Sequence, residues 1–259
     1  MTAKTREEIE IMREGGRILA AALSRVLPYA EPGVHVRDLD SRAEEYIRNA
    51  GGTPAFLGYG GSKTTPPYPA TLCISINDEV VHGIGTRDRV LQNGDIVGFD
   101  IGMAYPADNG LCTDMAITIG IGRISDAATR LMRVTKESLA RAISLVRHDV
   151  AVRTIGKSVQ QYCESHGYGV IRDLTGHGIG KNLHEDPPIF NYDEPRAASV
   201  RLTEGMTICI EPMISLGTWK VKMDPDGWTI RTADGSLAAH FEHTLLVTRT
   251  GAEILTPIP

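Results

Sequence analysis

The 259-residue sequence has no C-x-x-C pair, and its cysteines, Cys73, Cys112, Cys163 and Cys209, stand far apart. That spacing excludes a zinc knuckle or a dithiol redox motif and leaves reduced, buried thiols as the reading. Clusters of lysine and arginine are missing as well, and the formal net charge is −5 with a pI near 5.9. A chain with this balance has no general attraction for a phosphate backbone, so it binds no nucleic acid of its own. Nor is there an uncharged apolar run at the amino end. Lys4, Arg6, Glu7, Glu8, Glu10 and Arg13 interrupt Met1–Leu27, so this stretch is neither a secretory signal nor a membrane span. A cytoplasmic protein without a membrane partner is expected. Apolar residues make up 42% of the chain, enough to bury a core, which removes the disordered and fibrous classes.

What the sequence does contain is periodic. Thr5 with Glu8 forms a capping box ahead of Ile9, Met12, Leu19, Leu23 and Val26, predicting a helix that stops at Pro28. A second helix is predicted from about Val36 to Ala50, ended by Gly51-Gly52, and a glycine- and proline-rich loop runs from Gly58 to Pro69. The short branched runs Thr71–Ile76, Asp95–Met103 and Leu111–Ile119 read as strands. The order then repeats: helices after Ser125-Asp126 and from about Thr154 to Ser165, then strands near Met206–Glu211, Trp228–Arg231 and Phe241–Thr248. Val36-Arg37-Asp38-Leu39, Tyr46 and Gly51 match Val152-Arg153-Thr154-Ile155, Tyr162 and Gly167 at one constant offset. Two related halves, about residues 5–122 and 125–250, within one domain spanning 1–259 follow from this repetition.

Acids occupy matching places in the two halves. Asp100 ends one strand and Asp114 sits inside the next, as Glu211 ends one strand and Glu242 sits inside another. Side chains alternate along a strand, so Asp100 opposes Val97, Phe99 and Ile101, Asp114 opposes Met115, Ile117 and Ile119, and Glu211 opposes Ile208 and Ile210. Carboxylates near a core are costly unless paired or coordinated, and no matching set of lysines or arginines lies in these runs. A cation is the cheaper explanation. Carboxylates alone suit magnesium or manganese, whereas an added histidine moves the site towards a transition metal. His177, flanked by Gly176 and Gly178, is that candidate, its glycines allowing a tight bend. His184 follows in Leu183-His184-Glu185-Asp186-Pro187, His82 taken by itself reads as a hydrogen-bonded core histidine at the end of a β-like run, and His243 points away from Glu242 and reads as structural. His240 falls on the same side as Glu242 but carries no assignment.

These residues resemble the type I methionine aminopeptidases over nearly the whole chain. The strings that carry the resemblance are Cys-Ile-Ser-Ile-Asn-Asp-Glu-Val-Val-His-Gly-Ile (73–84), Gly-His-Gly-Ile-Gly (176–180), His-Glu-Asp-Pro-Pro (184–188), Ile-Glu-Pro (210–212), Asp-Gly-Trp-Thr (226–229) and Phe-Glu-His-Thr (241–244). The resemblance implies the pita-bread fold, a mixed α/β (α+β) architecture in which two pseudo-symmetric halves pack helices around a central antiparallel sheet. It implies two divalent metal ions held by Asp100, Asp114, His177, Glu211 and Glu242, with Asp114 and Glu242 bridging. Cobalt, manganese, iron(II), zinc and nickel all suit such a mixed ligand set. The activity implied is a hydrolase reaction, removal of the initiator methionine from nascent polypeptides with a small second residue, by attack of a metal-activated water. Glu211 resembles the general base as well as a ligand, His184 the residue facing the substrate carbonyl, and His82 the residue near the substrate backbone. Tyr59, Tyr68, Cys73, Leu183 and Trp228 are implied to line the methionine pocket. A monomer, with transient ribosome proximity, is the family expectation.

Three departures from the family pattern stand out. The Asp100–Asp114 stretch is long, with Tyr105-Pro106-Ala107-Asp108-Asn109 as an enlarged turn; the Gly60–Pro69 loop is long; and Phe56 stands where a cysteine is common. Two other readings carry different tests. An Xaa-Pro peptidase of the same fold usually has an additional N-terminal domain, and a non-catalytic binding relative generally loses ligands, none of which is missing here.

Overall fold

The computed structural model describes residues 3–257. The Thr5 hydroxyl accepts from the Glu8 N–H while the Glu8 carboxylate accepts from the Thr5 N–H, so the capping box is formed in full. Helix α1 (Arg6–Val26) gives way at Pro28 to a single 3-10 turn, because proline offers no N–H to the ladder. Helix α2 (Val36–Asn49) ends at Gly51, whose φ of 80° is open to glycine at little cost. The strands β1 (Thr53–Pro54), β2 (Leu72–Ile76), β3 (Glu79–Val81), β4 (Ile96–Tyr105) and β5 (Leu111–Gly120) follow. Ser125 caps helix α3 (Asp126–Leu145), and helix α4 (Val152–Ser165) completes the second pair. The remaining strands are β6 (Gly169–Val170), β7 (Gly176–Gly178), β8 (Glu185–Ile189), β9 (Thr207–Ile210), β10 (Met213–Ser215), β11 (Val221–Met223), β12 (Ile230–Thr232), β13 (Ala238–His240), β14 (Glu242–Val247) and β15 (Ala252–Ile254).

Nine strands form one antiparallel sheet in the order β1-β4-β5-β14-β9-β7-β8, with β2 added to β4 and β15 to β14. Two three-stranded sheets, β13-β10-β6 and β11-β12-β3, flank it. The helices cover one face in pairs. Leu19 and Leu23 of α1 and Leu39 and Ile47 of α2 pack with Phe99 and Ile101 of β4, while Leu131 and Val134 of α3 and Ile155 and Val159 of α4 pack with Ile208, Ile210 and Leu245. Fully burying such side chains contributes roughly 1.5–3 kcal/mol each, so these two clusters supply the main drive to fold.

The seam between the two clusters is short. Strands β4 and β5 pair over ten positions, but β5 and β14 pair only at Ala116 with Glu242 and at Met115 with His243. Threonine hydroxyls extend that seam. Thr244 Oγ1 accepts from the Asp114 N–H and donates to the Asp114 carbonyl, both at 2.8 Å, and Thr118 Oγ1 does the same for the His240 N–H and carbonyl, at 2.9 and 2.8 Å.

Two local expectations shift. The predicted Trp228–Arg231 strand is confined to β12, because Asp226 Oδ1 accepts from the N–H groups of both Trp228 and Thr229 and holds a turn there. The glycine-flanked His177 lies in a strand, β7, whose pairing with β8 shifts register, rather than in a bend. Among the described residues no helix is long and apolar enough to cross a membrane.

Candidate active site

The four acids converge because of strand register. Asp100 pairs opposite Ala116 and Asp114 opposite Gly102, so the two aspartates are diagonal neighbours on one face of β4 and β5. Glu242 pairs opposite Ala116 from the other side, which places it diagonal to Asp114. Glu211 follows Ile210, the partner of His243, and so comes up beside Glu242. Glu242 is the hub: it shares a cluster of potential donor atoms with Asp100 and Asp114, another with Glu211 and His240, and a third with His177 and Cys209, each cluster within 4.8 Å. Phe99, Ile101, Ile208 and Ile210 point the opposite way into the helix-covered clusters, as alternation requires.

This arrangement is electrostatically incomplete. Asp100 Oδ1, Asp114 Oδ1 and Glu242 Oε1 are buried without hydrogen-bond partners. Burial pushes the carboxyls of Asp100, Asp114, Glu211 and Glu242 above their ordinary range, and for Asp114 the neighbouring Glu242, Asp100 and Glu211 push it further. Orphaned carboxylates packed against one another are stable as anions only beside compensating positive charge. A divalent cation supplies it, and the oxygen-rich set with imidazole fits a first-row transition ion.

The histidines are prepared to act as neutral groups. His177 Nδ1–H donates to the Gly178 carbonyl at 2.9 Å, which leaves Nε2 as a lone-pair donor 3.5 Å from Glu211 Oε1. Burial holds its pKa down at about 4, so the ligating form is present at neutral pH. His82 has a φ of 60°, an uncommon conformation for a side-chain-bearing residue, and burial lowers its pKa to about 4 as well, helped by His240 and His184. Gly83 follows with no room for a side chain: a Cβ there would meet the Ile74 carbonyl oxygen at 2.3 Å. His184 is depressed by burial, stacks edge-on to His177 with ring centroids 4.4 Å apart, and bonds through Nδ1 to the Tyr59 hydroxyl at 2.5 Å.

All twelve residues singled out from the sequence line one cavity of about 90 Å³. Sites for drug-sized ligands run to roughly 300–1,000 Å³, so this space admits about one side chain. Its polar floor is Asp100, Asp114, His177, Glu211 and Glu242, and its apolar wall is Tyr59, Tyr68, Cys73, Leu183 and Trp228, with His82 and His184 between them. Tyr68 donates to the Gly83 carbonyl at 2.9 Å and packs edge-on against Trp228, whose indole N–H donates to the Pro66 carbonyl at 3.0 Å. The long loop is thereby tied over the pocket. Asp108 lies exposed in the β4–β5 turn, away from the cluster.

Sequence reasoning left out two residues of this site. Phe56 joins the apolar wall, and His240 stands behind Glu211 and Glu242. The signal for His240 was its strand side, shared with Glu242; the signal for Phe56 was its place where a cysteine is common.

Residues 10–249 match the model of metallopeptidase family M24. The methionine aminopeptidase of Clostridium acetobutylicum is 45% identical over 253 residues, covering 98% of this chain and 97% of that protein. The chain belongs to the methionine aminopeptidases of metallopeptidase family M24. The crystal structure of a methionine aminopeptidase from Thermotoga maritima superposes with a TM-score of 0.92 at 42% identity, each chain covered to 99%. Prolidase from Pyrococcus furiosus shares the fold of this M24 chain at a TM-score of 0.75 and 24% identity, with only 65% of that longer protein matched. The pita-bread architecture of the family is therefore present, and as an M24 metallopeptidase the chain is a hydrolase that uses divalent metal.

Proposed function

We propose that the chain removes the N-terminal methionine from new polypeptides, preferably before a small second residue, with two divalent ions held by Asp100, Asp114, His177, Glu211 and Glu242. The observation that carries this reading is the set of orphaned buried carboxylates opening onto a pocket sized for one apolar side chain. Bound ions supply Lewis-acid chemistry, activating water and the scissile carbonyl. Glu211, whose Oε1 lies 3.5 Å from His177 Nε2 at the edge of the carboxylate cluster, takes the proton from the attacking water. His184 keeps Nδ1 on the Tyr59 hydroxyl and turns Nε2–H towards the carbonyl oxygen, stabilising the charge that develops there. His82, fixed by the turn at Gly83, reaches the substrate backbone. Tyr68, Cys73, Leu183 and Trp228 exclude water from the methionine side chain, and aromatic faces suit its sulfur. The ligands come from both halves, 5–122 and 125–250, which we read as a pseudo-repeat around one centre. We place the protein in the cytoplasm as a monomer meeting polypeptides near the ribosome.

The test is release of free methionine from Met-Ala-Ser by chelator-stripped protein, before and after adding back manganese, cobalt, iron(II), zinc or nickel. Metal-dependent release with Ala-Pro peptides left intact is expected. Cleavage of Ala-Pro peptides alone would replace this reading with a proline-directed one.

A further inference from the structure

Glu211 stands between two imidazoles. Its Oε1 is 3.5 Å from His177 Nε2, and its Oε2 is 3.6 Å from His240 Nε2. The His240 nitrogen is also 3.9 Å from Glu242 Oε2. His240 is 3% exposed, and its Nε2 has no hydrogen-bond partner, an arrangement a protein interior rarely leaves uncompensated. These separations are longer than an N–H···O hydrogen bond, which spans about 2.7–3.2 Å. They approach the spacing of two donors on one ion: atoms each about 2.0–2.2 Å from a metal lie roughly 2.8–3.6 Å apart between octahedral and tetrahedral geometry. The His177–Glu211 spacing is of the same kind.

The ring is not free to choose another partner. Strand β13 ends at His240, which pairs with Met213 of β10, and the Thr118 hydroxyl holds both its N–H and its carbonyl. The groups facing the ring are Glu211, Glu242, Asp100 and His82. Three are carboxylates that a cation would draw together.

We propose that His240 is a further metal-ligating residue, its Nε2 joining Glu211 and Glu242 at a divalent cation and giving the centre a second imidazole. This rests on the metal-centre reading above. A second nitrogen ligand shifts preference from manganese towards cobalt, zinc, nickel and iron(II), which favour imidazole.

The test compares metal-stripped wild type, His240→Gln and His240→Ala, each titrated with Co(II) by calorimetry while the visible spectrum is recorded. Both variants are expected to bind Co(II) at least about tenfold more weakly, a loss that an outer hydrogen-bond partner would also produce, and with altered ligand-field bands, which only a change of ligand produces. Glutamine keeps an N–H donor near the same place, so a His240→Gln variant with wild-type affinity and spectrum would overturn the assignment and make His240 a hydrogen-bond donor to Glu211. Should a variant fail to fold, the wild type decides alone. Proton NMR of its Co(II) form is expected to show hyperfine-shifted ring N–H signals from two imidazoles, and signals from one overturn the proposal. Wild-type protein that takes up no Co(II) removes the metal-centre reading itself, a result distinct from unchanged binding in the variants.

Discussion

Replacing Tyr59 with phenylalanine removes one hydroxyl and keeps the ring that walls the pocket. The phenol stays protonated, since burial raises its pKa, so it donates to His184 Nδ1 and leaves the proton on Nε2, the atom we propose faces the substrate. Without that bond His184 can take the other tautomer, in which Nε2 is a lone pair and repels the developing oxyanion. A net hydrogen bond contributes about 0.5–1.5 kcal/mol, and each ~1.36 kcal/mol is a factor of ten in rate, so kcat/KM should fall about two- to thirteenfold. Tyr59 is 39% exposed, so water partly replaces the hydroxyl and the lower half of that range is expected. Loss of His184 itself, which we propose as an oxyanion-facing donor, should cost roughly 10²–10³ in kcat. The assay is steady-state hydrolysis of Met-Ala-Ser by wild type, Tyr59→Phe, His184→Ala and the double variant, with metal saturating. Because the hydroxyl acts through His184, Tyr59→Phe should have no further effect in the His184→Ala background. An equal fold-loss in both backgrounds, or none in either, would refute the reasoning.

The metal-free protein should lose stability as pH rises above about 6.5. Asp114, Glu211 and Glu242 are held well above the ordinary carboxyl range, so the folded state holds protons there that the unfolded state has released, and stability declines with pH through their titration, while Asp100, raised only to about 6, adds its decline mostly below 6.5. His82 and His177, depressed from 6.5 to about 4, act in the opposite direction but only below 6.5. Urea unfolding across that range checks this, and Mn(II) at about a hundred times its Kd should add about 2.7 kcal/mol. Asp108→Asn should leave methionine release near wild type while Asp114→Asn abolishes it; the reverse would reassign the second aspartate ligand. Gly83→Ala, with its Cβ 2.3 Å from the Ile74 carbonyl oxygen, should cost roughly 1–3 kcal/mol, about 2–12 °C in melting temperature, and displace His82 with loss of activity; a thermal melt beside the peptide assay reads both.

The residues legible in advance were those whose placement follows from local rules. Thr5 and Glu8 fixed a helix start, and alternation alone turned Asp100 away from Phe99 and Ile101 and Glu211 away from Ile210. What stayed hidden depends on pairing between distant segments. Gly176 and Gly178 favour no strand by themselves; β7 exists because β8 and β9 lie on either side of it. Trp228 looked like part of a strand until the Asp226 carboxylate was seen to hold its N–H in a turn. Phe56 reaches the pocket only because its neighbours are laid along β4, where Ala55 N–H donates to the Gly102 carbonyl. His240 had the right strand side, but its nearness to Glu211 comes from β13 pairing with β10, where His240 lies opposite Met213, two residues beyond Glu211.

The two-position pairing of β5 with β14, with a threonine hydroxyl on either side, has a mechanical meaning. Aspartates from one side of that seam and glutamates and histidine from the other face the same space, so an ion held by the ligands we propose would act as a rivet through two plates. Force applied to peel the plates apart would load the coordination bonds almost at once, while the ten-position zipper of β4 and β5 stays closed. A chain pulled from one point in α2 and one in α4, on opposite sides of the seam, should therefore part at a distinctly higher force with metal bound than without it.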